Sequence, residues 1–445
     1  MQAADTLIEA RWIIPVEPAN QILEQHTLVI LDGKILDILP TPTARNRYSS
    51  QNLHHLSDHL LIPGLINAHT HAAMNLMKGL ADDLPLMRWL QQHIWPAEAN
   101  LVNPEFVRDG SELAMAEMIR GGTTCFNDMY FFPDVTAQVA AQAGMRAVIG
   151  LIVLDFPTQW ATKADDYLQK GLDLAAVWQG HPLINSSWAP HAPYTVSDNP
   201  LTQIRDLSAA DGRTIHMHIH ETADEIAQAV TDTGKRPLAR LDDLGLLSPR
   251  LNAVHMTQLI PDEITRLADT GVSVTHCPQS NLKLASGFCP INDLMKKHIN
   301  VALGTDGAAS NNDLDLLNEM QTAALLAKGL SRDATAVNLF QALSMATLNG
   351  AKALGIANKT GSLLKGKAAD ITAVNLNCVE TQPLYQPLSQ LLYASNRSQV
   401  TDVWVNGQQL LKERHLTTLD KTQCLHKAKH WQKRISQHEH TTTQL

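Results

Sequence analysis

The sequence predicts an α/β protein with two parts, a distorted (β/α)8 TIM barrel and a small β-sandwich domain built from both chain termini. Two observations support this prediction. In the middle of the chain, short apolar runs alternate with helix-length amphipathic segments such as residues 104–120 and 200–211, a pattern typical of repeated parallel βα units. Near both termini, alternating strand patterns are instead joined by tight-turn dipeptides, which indicates antiparallel hairpins.

The barrel prediction depends on a count of strand ends. Eight segments place polar residues where an apolar strand ends, namely 69–71, 127–128, 148–154, 188–191, 216–221, 254–255, 275–277 and 305–306. A closed barrel of this kind requires eight βα units, and the residues at the carboxyl ends of its strands form its active site. We therefore expect these polar side chains to meet at one end of the barrel.

The β-domain prediction joins the two ends of the chain. Segments near each terminus alternate apolar and polar residues, namely 6–15, 27–39, 369–376 and 402–411. The dipeptides Asp32-Gly33 and Asn406-Gly407 supply tight turns within them. We expect one composite β-sandwich domain at residues 1–62 and 363–425. The barrel between them covers residues 63–362, and a helical, polar C-terminal tail covers residues 426–445.

Composition narrows the function classes. The 445 residues carry 35 Lys plus Arg against 44 Asp plus Glu, a net charge of −9, which disfavours nucleic acid as a partner. The five cysteines include no close-spaced pair of the kind that forms a thiolate zinc site or a disulfide framework. No basic apolar leader and no apolar run of about 18 residues is present. We therefore predict a cytoplasmic enzyme that acts without a membrane partner.

The first candidate site is the histidine pair His69 and His71. It follows the apolar run 61–66, which is bounded by Pro63 and Gly64 and which we interpret as a buried strand. Side chains two residues apart on a strand share a face, so both imidazoles can meet one divalent metal ion. An HxH pair alone is equally compatible with packing, so a metal site requires further ligands from later strand ends.

The segment 215–221, IHMHIHE, provides the next candidates. His216, His218 and His220 share one strand face, and we expect only one of them to be a ligand, the one placed at the strand's end. Glu221 follows His218 by three residues. A metal-bound imidazole and a carboxylate would then stand side by side, as a metallohydrolase requires.

Three later strands complete the candidate set. His255 ends the strand in AVHMT, His276 ends the next, and Asp306 follows the apolar run of VALGTDG at 301–307. An aspartate at that position can be both an oxygen ligand and a base. The alternative interpretation of Asp306 is a cap at the N-terminus of a helix.

In this order, the motifs resemble those of the amidohydrolase superfamily: HTH at 69–71, HxxE at 218–221, His255 and GTDG at 304–307. The resemblance covers nearly the whole chain, including GSLLKGKAAD at 361–370. Within the superfamily, the chain is most similar to the 5-methylthioadenosine/S-adenosylhomocysteine deaminase family, through WPAE at 95–98, APHAPY at 189–194, HCPQSNLK at 276–283 and GTDGAASNN at 304–312.

The resemblance implies a role for each candidate residue. One Zn²⁺ per subunit, with Fe²⁺ as an alternative, would be held by His69, His71, His218 and Asp306. A single metal is favoured because no lysine, the source of the bridging ligand in two-metal relatives, follows the fourth strand. The catalytic residues would be Glu221, His255 and Asp306. The substrate would be contacted by Glu98, at its ribose hydroxyls, and by His191, Glu221 and Asp306.

The predicted reaction is hydrolytic deamination of adenine nucleosides with release of ammonia. We expect conversion of 5-methylthioadenosine to 5-methylthioinosine and activity on adenosine. S-adenosylhomocysteine is expected to be less favoured, because Gly150 occupies the position that we align with the arginine gripping its carboxylate.

Two alternatives to this reaction stay open. One is a guanine-type deaminase or a chlorohydrolase-like enzyme on the same scaffold, and the other is a non-catalytic binding protein. The resemblance also implies a small-molecule substrate and a homo-oligomer, either a dimer or a tetramer.

Overall fold

A computed structural model describes residues 1–442 of the chain, with side chains described as far as residue 437. Its central sheet is a barrel of eight parallel strands, in chain order Leu65–Thr70, Thr123–Asp128, Arg146–Val153, Ile184–Pro190, Ile215–Ile219, Leu251–His255, Ser273–His276 and Val301–Leu303. Each strand pairs with the next one along the chain, so all carboxyl ends open on the same side.

A second sheet of eight strands is built from both termini. Its strands, in chain order, are Thr6–Ile13, Leu23–Leu31, Lys34–Pro40, Asn52–Pro63, Ile371–Asn375, Val400–Val405, Gln408–Lys412 and His415–Leu416. The two halves meet where Asn52–Pro63 pairs antiparallel with Ile371–Asn375. A separate two-stranded sheet pairs Gln2–Ala3 with Tyr48–Ser49. The predicted fold class, a barrel with a β domain from both termini, is confirmed.

The apolar run at 61–66 is not one strand, and that prediction was wrong. Pro63 ends a strand of the terminal sheet, and Leu65 begins the first barrel strand. The Pro63-Gly64 dipeptide marks the break between them, but periodicity does not show a change of sheet, because the apolar residues on both sides are buried.

Helices cover the barrel and connect its strands. Those that follow barrel strands are Pro104–Arg120, Pro133–Ala143, Ala164–Val177, Asp198–Asp211, Ala223–Thr233, Pro237–Asp243, Pro261–Thr270, Pro278–Lys283, Ile291–Lys296, Ala308–Asn311, Leu316–Ser331, Leu339–Met345 and Leu348–Ala353. The other α-helices precede Pro104–Arg120 or lie in the terminal regions. They are Thr41–Arg47, Leu86–Trp89, Trp95–Leu101, Pro387–Tyr393 and Lys421–Thr442. Single turns of other types are Ala72–Met77, Leu90–Ile94, Val379–Thr381 and Arg397–Gln399. Within residues 1–442, no helix is long and apolar enough to cross a membrane.

The last helix, Lys421–Thr442, packs on the barrel helix Pro104–Arg120. The Trp431 indole donates a hydrogen bond to Asp109 (2.9 Å) and meets the Phe106 ring edge-on at 5.1 Å. This helix begins five residues before the predicted tail, and residues 443–445 of that tail lie outside the described residues. The exact domain boundaries stay a prediction.

A buried ion pair connects the two sheets at the amino-terminal end of the barrel. Arg146, which begins the third barrel strand, donates from Nε and Nη2 to the carboxylate of Asp370 at 2.7 and 3.1 Å. Both side chains are 1% exposed. Asp370 also accepts the backbone N–H of Asn406 at 2.7 Å, so its charge is fully engaged.

Candidate functional site

Four predicted ligands meet at the carboxyl end of the barrel. One side-chain nitrogen or oxygen from each of His69, His71, His218 and Asp306 lies within 4.8 Å of all the others. Asp306 Oδ1 is 3.1 Å from His69 Nε2 and 3.2 Å from His71 Nε2. We call these four residues the metal-donor group.

The first barrel strand and its continuation supply two of the four. His69 lies within the strand and His71 follows it directly. Asp128, at the end of the neighbouring strand, holds this segment by accepting hydrogen bonds from Thr70 Oγ1 (3.2 Å) and from the backbone N–H of Ala72 (2.7 Å). The His71 ring is fixed in turn, because its Nδ1 donates to the carbonyl of Met129 at 2.5 Å.

The eighth strand brings Asp306 against the first strand. A Cβ atom at Gly304 would lie 2.8 Å from Cβ of His69, and one at Gly307 would lie 3.2 Å from Cβ of His71. The close approach of the two strands therefore requires glycine at Gly304, and a side chain at Gly307 would crowd His71. Asp306 itself has a left-handed backbone (φ 62°), and its N–H donates to the carbonyl of His69 at 3.1 Å.

Asp306 is a buried carboxylate whose partners within residues 1–437 include histidines but no lysine or arginine. Its Oδ2 accepts hydrogen bonds from the hydroxyls of Ser280 (2.6 Å) and Ser310 (2.7 Å). No Lys or Arg among residues 1–437 comes within 4.0 Å of it, and its ionic contacts are with His69 and His71. Burial lowers the pKa of His71, but the hydrogen bond and charge of Asp306 outweigh this effect and raise it to about 9. The site therefore attracts a positive charge.

The donor set fits a zinc ion. Nδ1 of His71 and of His218 each donates to a backbone carbonyl, that of Met129 and that of His191. In the neutral form that binds a metal, each ring therefore carries its hydrogen on Nδ1, and Nε2 is the free ligand atom. Three imidazole nitrogens with one carboxylate oxygen are a ligand set that Zn²⁺ accepts while keeping a position for water.

Glu221 and His255 stand beside the metal-donor group, with Glu221 Oε2 3.9 Å from His255 Nε2. Burial raises the pKa of Glu221. Its backbone is held on both sides, because its N–H donates to Glu225 at 2.6 Å and its carbonyl accepts from Thr257 Oγ1 at 2.6 Å. His255 donates from Nδ1 to Asn281 Oδ1 at 2.9 Å, which leaves its Nε2 facing the site.

These groups lie in a cavity of about 510 Å³. Glu98 and His191 also line the cavity. Burial raises the pKa of Glu98 to about 7 against the opposing effects of the Tyr130 hydroxyl and His71. Burial lowers the pKa of His191 to about 3, so this ring is neutral.

The outer part of the cavity is apolar. Its apolar wall comes from the helical segment before the second barrel strand and from the loop after the third, namely Leu86, Trp89, Leu90, Leu154 and Phe156. Within residues 1–437, no lysine or arginine lines the cavity, and its charged residues are the acids Glu98, Glu221 and Asp306. The helical segment contains one π-helical turn, Leu90–Ile94, a distortion that is frequent at functional sites.

The structure brings all eight predicted site residues to this cavity, with His69 just beneath its floor. Their individual roles stay predictions. Sequence reasoning missed Ser280, Ser310 and Asn281, which hold Asp306 and His255, although they lie in motifs already singled out. It also missed Glu225, for which a signal existed, because Thr222 and Glu225 have the spacing of a helix capping box.

The place given to Gly150 in the sequence analysis was wrong. Gly150 does not line the cavity: a Cβ there would meet the carbonyl oxygen of Asp128 at 2.5 Å. Farther along the same strand face, Ile152 and Leu154 reach the cavity wall, whereas Leu151 and Val153 do not. The reason is strand alternation, which places odd and even residues on opposite faces.

Of the three histidines at 216–220, only His218 belongs to the metal-donor group. The His220 ring points away from the cavity and accepts the backbone N–H of Leu238 at 3.1 Å. His216 is buried and lies 2.8 Å from Nδ1 of His69 through its Nε2. Strand alternation alone could not separate these three residues, since residues two apart on a strand share a face and the pattern does not show that the strand ends at Ile219.

Comparisons with known proteins agree with this arrangement. The Amidohydrolase family matches residues 60–410. A Saccharophagus degradans protein named 5-methylthioadenosine/S-adenosylhomocysteine deaminase is 50% identical over 432 residues, 97% of each chain. A Methanosarcina mazei protein named 5′-deoxyadenosine deaminase is 40% identical, over 96% of this chain and 97% of its own. The solved structure of an adenosine deaminase from Xanthomonas campestris with bound zinc is 51% identical, with a TM-score of 0.97 over 98% of this chain and 99% of its own.

Proposed function

This chain belongs to the amidohydrolase family, and we propose that it is a zinc-dependent hydrolytic deaminase of adenine nucleosides. The observation that carries the proposal is the placement of a buried carboxyl group, Glu221, beside a complete metal-donor group in a cavity large enough for a nucleoside. Relatives of nearly full length that are named as deaminases of such nucleosides support it.

His69, His71, His218 and Asp306 would hold one zinc ion, which when bound makes water a nucleophile near neutral pH. The chain's own residues then position and move the protons. Asp306, kept in place by the Ser280 and Ser310 hydroxyls, accepts a proton from the attacking water. His255 orients that water through Nε2, because its Nδ1 is committed to Asn281.

Glu221 serves as the proton donor to the ring. Burial raises its pKa, which favours the protonated form that donation requires. As the water oxygen bonds to C6, Glu221 protonates N1. The bond from C6 to the amino nitrogen then breaks, and ammonia leaves with the proton that Asp306 took from the water. The remaining proton of that water returns to Glu221 as the C6 carbonyl forms, so both acids regain their starting state.

Glu98 and His191 recognise the rest of the nucleoside. A carboxylate accepts two hydrogen bonds, which suits the 2′ and 3′ hydroxyls of a ribose. Three acids line the cavity within residues 1–437. Glu221 and Asp306 take part in the proposed proton transfers, and Glu98 does not. A bare base offers no such pair of hydroxyls, so this residue favours a nucleoside over guanine or a triazine.

The apolar wall sets the preference at the 5′ position. A methylthio group needs only apolar contact, and Leu154, Phe156 and Trp89 provide it. The amino-acid carboxylate of S-adenosylhomocysteine would meet no basic side chain within residues 1–437 and would face acids. We therefore expect 5-methylthioadenosine and adenosine to be preferred by ~10-fold or more in kcat/KM, since the missing charge-assisted hydrogen bond is worth at least ~1.4 kcal/mol.

The substrate is thus a small molecule. We further propose a homo-oligomer, a dimer or a tetramer, and a cytoplasmic location. The support for these two statements is the family resemblance.

An absorbance screen of the purified, zinc-loaded protein tests the function. The compounds are adenosine, 5-methylthioadenosine, S-adenosylhomocysteine, guanine, cytosine and a chlorinated triazine. We expect turnover of the first two, seen as the shift from an adenine to a hypoxanthine spectrum. Turnover of guanine or the triazine alone would favour another reaction on this scaffold, and no turnover of any compound would favour a non-catalytic protein.

A further inference from the structure

Glu225 is an acid beside the site that the proposed reaction does not use. It lies in the first turn of the helix Ala223–Thr233. Its Oε1 accepts the backbone N–H of His220 at 3.1 Å, and its Oε2 accepts that of Glu221 at 2.6 Å. Within residues 1–437, no lysine or arginine comes within 4.0 Å of this carboxylate. Both of its oxygens are therefore committed to the backbone that carries the proposed proton donor.

This arrangement differs from a helix capping box. In a capping box, the acid at the third helical position accepts the backbone N–H of the N-cap residue itself. Here the N-cap residue is Thr222, whose Oγ1 accepts the N–H of Glu225 at 3.1 Å. The Glu225 carboxylate reaches past Thr222 to the two residues before it. It therefore holds the end of the fifth barrel strand, in addition to the start of the helix.

The backbone at that strand end is strained. The strand ends at Ile219, and His220 has a left-handed conformation (φ 55°), which is rare for a residue with a side chain and persists only where its surroundings hold it. The turn separates the next two side chains. Nε2 of His220 accepts the backbone N–H of Leu238 at 3.1 Å, whereas Glu221 lines the cavity.

The carbonyl groups of the same turn are held by the sixth strand. Thr257 donates its backbone N–H to the carbonyl of His220 at 2.9 Å and its hydroxyl to the carbonyl of Glu221 at 2.6 Å. Thr257 follows His255 by two residues. Glu225 and Thr257 thus hold opposite sides of one short backbone segment, and the segment is connected to the strand that carries His255.

We propose that Glu225 is a positioning residue for the proposed proton donor. It holds the left-handed turn at His220, so that the carboxyl group of Glu221 stays in the cavity beside His255. Removal of its carboxylate leaves two backbone N–H groups without acceptors and allows the strained turn to relax. Within residues 1–437, Glu225 neither lines the cavity nor belongs to the metal-donor group. It therefore acts on the reaction through Glu221, and the inference rests on the proposed function.

Glu225→Ala tests the role by steady-state kinetics on 5-methylthioadenosine. We expect kcat to fall by ~10- to 100-fold, the scale of a ~1 Å misplacement of a reacting group. Bound zinc should be unchanged, and KM should stay within about threefold. Glu225→Gln keeps one acceptor but turns an amide N–H toward the other backbone donor, so its loss of kcat should be smaller.

Gln341→Ala is the matched control. Gln341 occupies the third position of the helix Leu339–Met345, and its Oε1 accepts the backbone N–H of Asn338 at 2.8 Å in a capping box. This variant also removes a side-chain acceptor at a helix start, but one that holds no residue of the cavity. We expect its kcat to equal that of the wild type.

A double-variant cycle with Glu221→Gln separates positioning from a general loss of structure. Since Glu225 acts through Glu221, adding Glu225→Ala to Glu221→Gln should change kcat by less than about threefold. Losses that multiply in the double variant, or an unchanged kcat in Glu225→Ala, would overturn the proposal. If Glu225→Ala does not fold, Glu225→Gln replaces it in the same cycle.

A crystal structure of the same variant tests the proposal without the reaction. In the protein described here, Glu221 Oε2 lies 3.9 Å from His255 Nε2. We expect this separation to change by ~1 Å or more in the variant. An unchanged position of the Glu221 carboxyl group would contradict the positioning role, whatever the substrate. A wild-type protein without turnover would instead count against the proposed function, so the two failures are distinguishable.

Discussion

At its amino-terminal end the barrel holds Arg146 and Asp370, a buried pair joined by two hydrogen bonds of 2.7 and 3.1 Å. At its carboxyl-terminal end it holds Asp306, an equally buried carboxylate whose ionic contacts are histidines 3.1 and 3.2 Å away. The first charge is neutralised by the chain itself. Within residues 1–437, no lysine or arginine neutralises the second, although serine hydroxyls hold it in place.

The difference separates stability from function. A buried pair with its hydrogen bonds satisfied holds two sheets together, and removing one partner leaves an uncompensated charge. A buried carboxylate among imidazoles whose free nitrogens converge is arranged for an ion that the chain does not supply. The same physical problem, a charge in a low-dielectric interior, thus has a different solution at each end of one barrel.

The largest effect is expected from His218→Ala. It removes one of four ligands at the carboxyl end, so bound zinc and deaminase turnover should fall together, to background. Metal content by elemental analysis and turnover by absorbance measure both. His59→Ala, a histidine of the terminal sheet, is the control and should keep one zinc per chain. Full zinc and full turnover in His218→Ala would contradict the proposed ligand set.

Glu221→Gln sharpens the comparison within the active end. The amide keeps the shape and hydrogen bonding of the acid but has no proton to transfer, so kcat should fall by ~10²- to 10⁴-fold while zinc remains bound. Steady-state kinetics with metal analysis separate these effects. Normal turnover would identify another residue as the proton donor.

Arg146→Met changes the amino-terminal end of the barrel and should affect only the stability of the protein. Leaving Asp370 buried and unpaired is expected to lower the free energy of unfolding by ~3–5 kcal/mol. The double variant Arg146→Met/Asp370→Leu should recover part of that loss, though not the hydrogen bond from Asn406. Urea unfolding measures both variants. A loss of zinc affinity in folded Arg146→Met would break the separation between the two ends.

The smallest effect is expected from Glu98→Ala. Loss of its hydrogen bonds to the ribose should lower kcat/KM on adenosine by an amount equivalent to ~1–3 kcal/mol of activation free energy. The kcat/KM on free adenine should change much less. Since the Glu98 pKa is raised to about 7, the ionised acceptor form prevails above that pH, and the wild-type KM for adenosine should rise as pH falls below 7. Equal losses on both substrates would show that Glu98 does not contact the ribose.

Most of the fold and the metal-donor group could be predicted from the sequence. The eight strand ends and the turns Asp32-Gly33 and Asn406-Gly407 follow from local patterns that tertiary packing does not override. The motifs HTH, HxxE and GTDG lie at strand ends. Polar side chains at these positions face the carboxyl end of the barrel. These motifs suffice because parallel strands bring their carboxyl ends together.

Other features depend on contacts between distant segments and left no local trace. The assignment of the two sides of Pro63-Gly64 to different sheets is one example, since the dipeptide marks a break but not which sheet each side joins. The choice among His216, His218 and His220 is another, since it depends on which ring comes together with His71 and Asp306. A third example is that Leu154 lines the cavity and Gly150 does not. This depends on how deep the cavity floor lies in the barrel.

The most direct test of the account is a zinc titration of metal-free protein while the deamination of 5-methylthioadenosine is followed by absorbance. The account predicts no turnover without zinc, a rise in rate with each addition, and a plateau at one zinc ion per chain. Turnover in the fully stripped protein, or a plateau only at two ions per chain, would contradict a single metal centre built from His69, His71, His218 and Asp306.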